Sequence, residues 1–422
     1  MTFLRVGLCA LIIFAVAAHG GVEDWARAVL ETGVGFLFLI WALRFYYNEQ
    51  EQLAFSPLLP PLAMFFLVGL SQWFFRATVS PYSTRIELLL LLATLLFLFL
   101  CVQVFRTLQD WRSFVWFGMG FGFLVSVFGI LQHLTFNGKL YWVRELRYGG
   151  IPFGPYVNRN HFAGLMELLI PLVLVPLVLG KVRRERLAVV ALFAVMPITA
   201  LFLSASRGGI VSFCVQFALL AYLLLRRRGL AKHLLAVAAV LLAALMIVTW
   251  LGVARILQRF SSLQTLEVTE GKRAAMRKGA WHIFLDHAFI GTGLGTLQIV
   301  YPPYETLYDG KVVDHAHNDY LEALAETGVL GGLCCAWFLG VLFLKSFSLF
   351  RQSDFSFPGA LQLSGIVACA GFLVHALVDF NFHIPSNLWL FFLMAHLATT
   401  QIEQTSSIPP ARRHRHGSRN PD

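Results

Sequence analysis

Five short polar groups break the apolar run of this chain, and their residue types suit chemistry on an anionic substrate. The first is Ser204-Ala205-Ser206-Arg207-Gly208-Gly209. Glycines beside an arginine leave the backbone open, and the guanidinium fork matches phosphate or carboxylate oxygens. An arginine that merely ends a helix and reaches for water is the plainer account. The second is Lys272-Arg273-Ala274-Ala275-Met276-Arg277. Arg273 and Arg277 share a helix face, where like charges repel unless an anion sits between them. A solvated basic face is the alternative.

The third group is Asp314-His315-Ala316-His317-Asn318-Asp319-Tyr320-Leu321-Glu322, which opens into an apolar run. A histidine can take up a proton near neutral pH. Where a loop re-enters a membrane, it could deprotonate an acceptor hydroxyl. Asn318 and Asp319 suit a helix start, so capping alone would also explain them. His315 and His317 at i, i+2 lack an obvious third ligand, and no metal site is expected. The fourth group is Tyr156-Val157-Asn158-Arg159-Asn160-His161, and the fifth is His375-Ala376-Leu377-Val378-Asp379-Phe380-Asn381-Phe382-His383. Polar residues at membrane depth are costly and tend to be functional. Asn160 and Asp379 could equally belong to a packing network.

The elements that must position these groups are transmembrane helices. The chain has 422 residues, 58% hydrophobic and only 13% charged, against roughly 25% charged in soluble domains. Mean hydropathy is +0.69. Period-two alternation is absent, which excludes a β-barrel. The class is an all-α integral membrane protein. About twelve stretches are long enough to cross a bilayer: 3–19, 26–46, 56–75, 86–105, 113–133, 160–179, 187–203, 209–225, 234–252, 319–344, 360–377 and 385–401. Residues 1–20 also have the outline of a signal peptide, but the loop parity works only if this stretch is retained as a helix.

Basic loops at Lys181–Arg186 and Arg226–Lys232, and a basic tail from Arg412 to Arg419, fall on one side of this count. The positive-inside rule makes that side cytoplasmic, with both termini. Two long loops, from His133 to Arg159 and from Val253 to Asn318, fall on the other side with all five polar groups. The larger loop, 253–318, is expected to be partly helical, with Trp281, Phe284 and Leu285 on one face until Gly291-Thr292-Gly293-Leu294-Gly295 breaks it. Residues 1–402 read as one polytopic domain and 403–422 as a disordered tail. Net charge is +10, but no basic stretch is interleaved with aromatics, so nucleic acid is not an expected partner. The six cysteines lie in apolar stretches and read as small hydrophobes.

Taken together and in order, these elements resemble the O-antigen ligase and O-antigen polymerase family of envelope glycosyltransferases. The matching residues are Ser206-Arg207-Gly208-Gly209, the Arg273 segment leading to Gly291–Gly295, His317-Asn318-Asp319-Tyr320-Leu321 with Glu326-Thr327-Gly328, and Asn158–Ala163. The resemblance covers roughly residues 120–400. It implies an inner-membrane enzyme with about a dozen helices and a large periplasmic loop. Such an enzyme transfers a glycan from undecaprenyl diphosphate to an acceptor sugar, without nucleotide, metal or other cofactor. The family's essential loop histidine falls on His317, and its arginines fall on Arg207 and Arg273. Where the family has an aromatic four residues after that arginine, this chain has Arg277, so the match can slip by one turn. His287-Ala288 stands where His-Pro is usual.

The expected chemistry follows. Arg207 and Arg273, with Arg277 or Arg159, would stabilise the diphosphate leaving group. His317 would act as general base with inversion at the anomeric carbon, supported by His315, Asn318, Asp319, Asn160 and Asp379. The expected activity is ligation to lipid A-core. Repeat-unit polymerisation is the main alternative, and transfer to protein hydroxyls or polysaccharide transport are lesser ones. A transporter should carry charges in mid-span, whereas here they gather at external ends.

Overall fold

The computed structural model describes all residues except 49–51, 147–150, 227–232, 262, 309, 354–355 and 403–422. Most of the expected basic loop at Arg226–Lys232 and the whole tail lie outside the described residues. The described residues are helical, with two isolated β-bridges and no strand. The helices are α1 (Thr2–Ala17), α2 (Asp24–Tyr47), α3 (Leu59–Phe74), α4 (Pro81–Val104), α5 (Leu108–Leu134), α6 (Arg159–Val178) and α7 (Leu187–Leu203). They continue with α8 (Arg207–Leu225), α9 (His233–Ser261), α10 (Leu263–Asp286), α11 (Leu297–Val300), α12 (Asp319–Gln352), α13 (Phe357–His375) and α14 (Pro385–Thr399).

Eight of these, α2, α4, α5, α6, α7, α8, α12 and α13, are long and apolar enough to span a bilayer. The other expected spans, α1, α3, the apolar part of α9 and α14, form helices with shorter apolar stretches. Their starts are written locally. Ser80 caps α4 through Ser83 N at 3.3 Å, with Pro81 behind it. Thr107 and Asp110 form a reciprocal capping box on α5.

Burial sorts the helices. The apolar window of α6 is 94% buried and that of α13 78%, whereas α2 is only 22% buried. The bundle is built around the α6–α13 pair, with α7, α8 and α14 against it. On α2, Phe36, Leu39 and Leu43 point outward. A helix apolar on its exposed side is stable only where the surroundings are apolar too, so α2 faces lipid.

Side-chain contacts fix which helix ends lie together. Arg5 of α1 pairs with Asp110 of α5, and His396 of α14 lies 3.3 Å from the Phe105 carbonyl after α4. At the opposite end, Asn160 of α6 reaches Asp379 after α13. There too the first residue of α12, Asp319, donates its N–H to Ala376 O at 2.9 Å. The starts of α6, α8 and α12 and the α13–α14 turn therefore share one end, that of α8 through Gly208 against His375.

Within 253–318 the chain forms α10 and α11, and one face of α10 is buried. Met276, Ala280 and Ile283 of α10 bury in one cluster with Leu297, Tyr301, Val313, Ala316 and Ala325. Trp281 and Leu285, named from the sequence as sharing a face, are 43% and 52% exposed. The buried face also carries Gly279, where a Cβ would meet the Tyr301 ring at 2.6 Å.

Two glycine motifs interlock where α10 meets α12. Gly328 sits inside α12 with φ 62°, ψ −162°, a conformation that kinks the helix. A Cβ there would lie 2.5 Å from Phe289 backbone atoms, and one on Gly291 would lie 2.3 Å from Glu326. The backbones cross-bond, Thr292 N to Ala325 O at 3.1 Å and Gly293 N to Glu326 O at 2.9 Å. The Glu326 carboxylate accepts from Gly295 N and Leu297 N at 2.9 and 3.0 Å.

Candidate active site

The site forms where α6, α8 and α12 begin. Each start is capped by its own sequence: Asn158 accepts from Asn160 N at 2.9 Å, Ser206 from Gly209 N at 3.2 Å, and Asn318 from Leu321 N at 2.9 Å. Arg159 and Arg207 are the first residues of α6 and α8. A helix start carries partial positive charge, so two dipole ends and two guanidiniums concentrate at one place.

Asp379 is the hub. It is 1% exposed and comes from the turn between α13 and α14. Its Oδ1 lies 3.3 Å from His317 Nδ1 and 3.9 Å from His161 Nε2, and accepts from Phe380 N at 2.9 Å. Its Oδ2 accepts from Asn160. Burial alone would raise the Asp379 pKa. The hydrogen bond from His317 and the charges of His161, His317 and His375 outweigh it and hold the carboxyl far below the usual range. Asp379 is thus a fixed anion beside an imidazole. It turns one ring nitrogen of His317 toward itself and leaves Nε2 on the opposite side of the ring, the orientation a general base needs.

His317 itself sits in left-handed backbone, φ 50°. That costs an L-residue about 1–2 kcal/mol, so tertiary contacts must hold it. A charge-assisted hydrogen bond contributes about 1.5–3 kcal/mol, enough for one to suffice. The Glu322 carboxylate accepts from Ala316 N at 2.8 Å and lies 2.7 Å from His315 Nδ1.

Glu322 opens a second imidazole–carboxylate group. His383 lies 3.2 Å from Glu322 through Nε2 and 3.0 Å from Asp319 through Nδ1. Burial would lower the His383 pKa, but Glu322 and Asp319 raise it to about 10. His315 is likewise raised, burial being outweighed by Glu322. Phe380 separates the two groups: its ring stacks on His315 at 4.3 Å and meets His317 edge-on at 4.9 Å and His161 at 4.7 Å. His315 and His317, neighbours in sequence, therefore serve different carboxylates. His315, Glu322 and His383 have ligand atoms within 4.8 Å of one another, a set that could hold a divalent cation. Their polar atoms already bond to each other.

The start of α8 lies close against the end of α13: a Cβ on Gly208, next to Arg207, would meet His375 Nε2 at 2.7 Å and Val378 at 3.0 Å. Arg273 and Arg277 lie half-buried on α10. They flank Met276, which shares a buried cluster with Ala316, the residue between His315 and His317. The structure brings His317, His315, Asn318, Asp319, Asn160 and Asp379 into one connected set. It places Arg159 and Arg207 at the adjoining helix starts and Arg273 and Arg277 on the helix packed beside the loop.

Sequence reasoning left Glu322 and His383 outside the site, although both stood in its motifs. It also missed Glu167 of α6. Glu167 and His375 are both 0% exposed and paired at 2.8 Å, so not every charge gathers at the helix ends. A buried carboxylate needs such a partner, and an isolated Glu in an apolar run was the signal for it. An apolar cavity of about 400 Å³ opens beneath Asp319 and His383, lined by Leu62, Phe65, Leu90, Leu324, Phe338 and Phe391 among others.

Residues 166–336 match the family model described as O-antigen ligase. The matched stretch carries Arg207, Arg273, Arg277, His315, His317 and Glu322; Asn160, Asp379 and His383 lie outside it. No curated protein matches the chain. The family that the motifs resembled is thus the one the comparison finds, and residues 166–336 are similar to the O-antigen ligase family.

Proposed function

We propose that this membrane glycosyltransferase moves a glycan from undecaprenyl diphosphate onto a sugar hydroxyl of lipid A-core at the periplasmic face of the inner membrane. The observation that carries the reading is the His317–Asp379 pair set among the starts of α6, α8 and α12. His317 Nε2 takes the proton of the acceptor hydroxyl as its oxygen attacks the anomeric carbon. The bond from that carbon to the diphosphate breaks, and inversion follows because attack comes from the opposite side. The lipid diphosphate leaves with the negative charge.

Arg207 and Arg159, with Arg273 or Arg277, stabilise that charge, aided by the two helix starts. Such cations do the work that a metal does in other sugar transferases. The apolar cavity below Asp319 suits a lipid chain. In this reading the chain crosses the membrane about twelve times, with both termini cytoplasmic.

The test is deletion of the gene, with lipopolysaccharide separated on a gel, followed by complementation. Loss of all capped product with lipid-linked polymer accumulating is expected. Core carrying a single repeat would instead make the enzyme a polymerase. Complementation with His317→Ala should give inserted protein and transfer reduced by about 10²-fold or more. Near-normal transfer by that variant would sink the assignment of the base.

A further inference from the structure

Two ionisable side chains near the His317–Asp379 pair are not used by the mechanism above. Glu322 is 1% exposed in the first turn of α12, and His383 follows the α13–α14 turn. Neither touches Asp379. Both act on the peptide that carries His317. Glu322 Oε2 accepts from Ala316 N at 2.8 Å, the peptide immediately before His317, and Oε1 lies 2.7 Å from His315 Nδ1. His383 then ties Glu322, at 3.2 Å, to Asp319, at 3.0 Å. Asp319 also accepts from Phe382 N at 3.3 Å. Asn318, on the other side of His317, is fixed by its Nδ2 donating to Leu377 O at 2.9 Å. The left-handed residue is thus clamped from both directions.

We propose that Glu322 and His383 are positioning residues, whose contacts hold His317 in its left-handed conformation with Nδ1 on Asp379. A left-handed residue between two clamped neighbours has no other backbone route to that contact. Without the Glu322 bond, Ala316 and His317 can relax to ordinary backbone, which swings the ring away from Asp379. The base is then present but misplaced, and misplacement by about 1 Å costs on the order of a hundredfold in rate. Substrate binding should change little, because neither residue contributes a cation to the diphosphate. The proposal rests on the reading of His317 as the base.

The experiment uses full-length protein in detergent and compares Glu322→Ala, Glu322→Gln and His383→Ala. Gln keeps an oxygen that can accept from Ala316 N. Two readouts are needed. Hydrogen exchange of segment 313–318 should quicken about tenfold in Glu322→Ala, approach the parent in Glu322→Gln and lie between them in His383→Ala. Glycan transfer from undecaprenyl-diphosphate-linked polymer to lipid A-core should lose kcat by about a hundredfold in Glu322→Ala with KM within about threefold. Glu322→Gln should recover most of it.

Unchanged exchange in Glu322→Ala overturns the proposal. So does a loss carried by KM, or equal loss in the Ala and Gln variants. If Glu322→Ala does not fold, parent-like exchange and rate in His383→Ala overturn it instead. A stoichiometric divalent ion in the parent that is lost from Glu322→Gln would also overturn it, making the group a metal site. If His317→Ala remains active while segment 313–318 still loosens in Glu322→Ala, the assignment of the base fails and the clamp stands.

Discussion

Two imidazole–carboxylate groups face each other across the ring of Phe380, and they are built differently. In the group around Glu322, two carboxylates and two imidazoles satisfy one another, through contacts of 2.7, 3.0 and 3.2 Å. In the group around Asp379, a single carboxylate serves Asn160, His161 and His317; exposure does not separate the two groups, the His317 side chain being 18% exposed against 25% for His315 and 23% for His383. The first group is closed and cross-links chain segments. In the second, one carboxylate is shared among three side chains, beside two helix starts that carry arginine. A network in which each imidazole has its own carboxylate contact resists change, so the proposed reactive role falls to His317 on the Asp379 side.

The sharpest way to break this comparison is Asp379→Asn. Asn keeps the shape but loses the charge that orients and stabilises a protonated His317. Transfer should fall by about 10³-fold, by analogy with other acid–histidine pairs, with protein level unchanged on a membrane blot. Activity within a few-fold of the parent would place the reactive group elsewhere.

Arg207 comes next. Arg207→Ala should cost about 10²-fold in kcat, and Arg207→Lys should recover only part, because a point charge cannot reproduce the fork. Kinetics with a purified lipid-linked donor decide this. Full recovery by Lys would mean that charge alone matters there.

The smallest effect concerns the closed group and uses pH. The His383 pKa is raised to about 10 when folded, against about 6.5 for a free histidine. Its contribution to stability is therefore complete below about pH 6.5 and fades as pH rises toward about 10. The groups facing it are Asp319, Glu322, Glu326 and His315, and His315 is likewise raised above its usual value. Melting temperature should decline between pH 7 and 10 in the parent and decline less in His383→Ala. Parallel slopes in the two proteins would remove His383 from the account.

Much of the frame was legible in the sequence because its signals are local. Apolar stretches gave helices at the expected places, Asn318 caps α12, and the parity of the helices brought the five polar groups to one end. What stayed hidden depends on tertiary choices. Which carboxylate His315 or His317 faces is set by the sign of one backbone angle at His317, and spacing does not encode it. His383 and Asp379 are four residues apart in one motif, yet they serve opposite sides of Phe380. The α10 periodicity was real, but it could not say which face turns inward. Contacts with Leu297, Tyr301 and Ala325 bury Met276, Ala280 and Ile283. Glu167 finds His375 across more than two hundred residues, a pairing no window of sequence contains.

The placement of Asp379 has a consequence for biogenesis. The chain is made from its N-terminus, so His317 emerges long before its carboxylate partner. Until α13 and the turn after it have been synthesised and packed against α6 and α12, the imidazole has no anion to orient it. On the proposed mechanism, nascent enzyme would be unable to act on a lipid-linked glycan while the later helices are still being inserted. Reactivity at His317 would then be switched on by completion of the bundle itself.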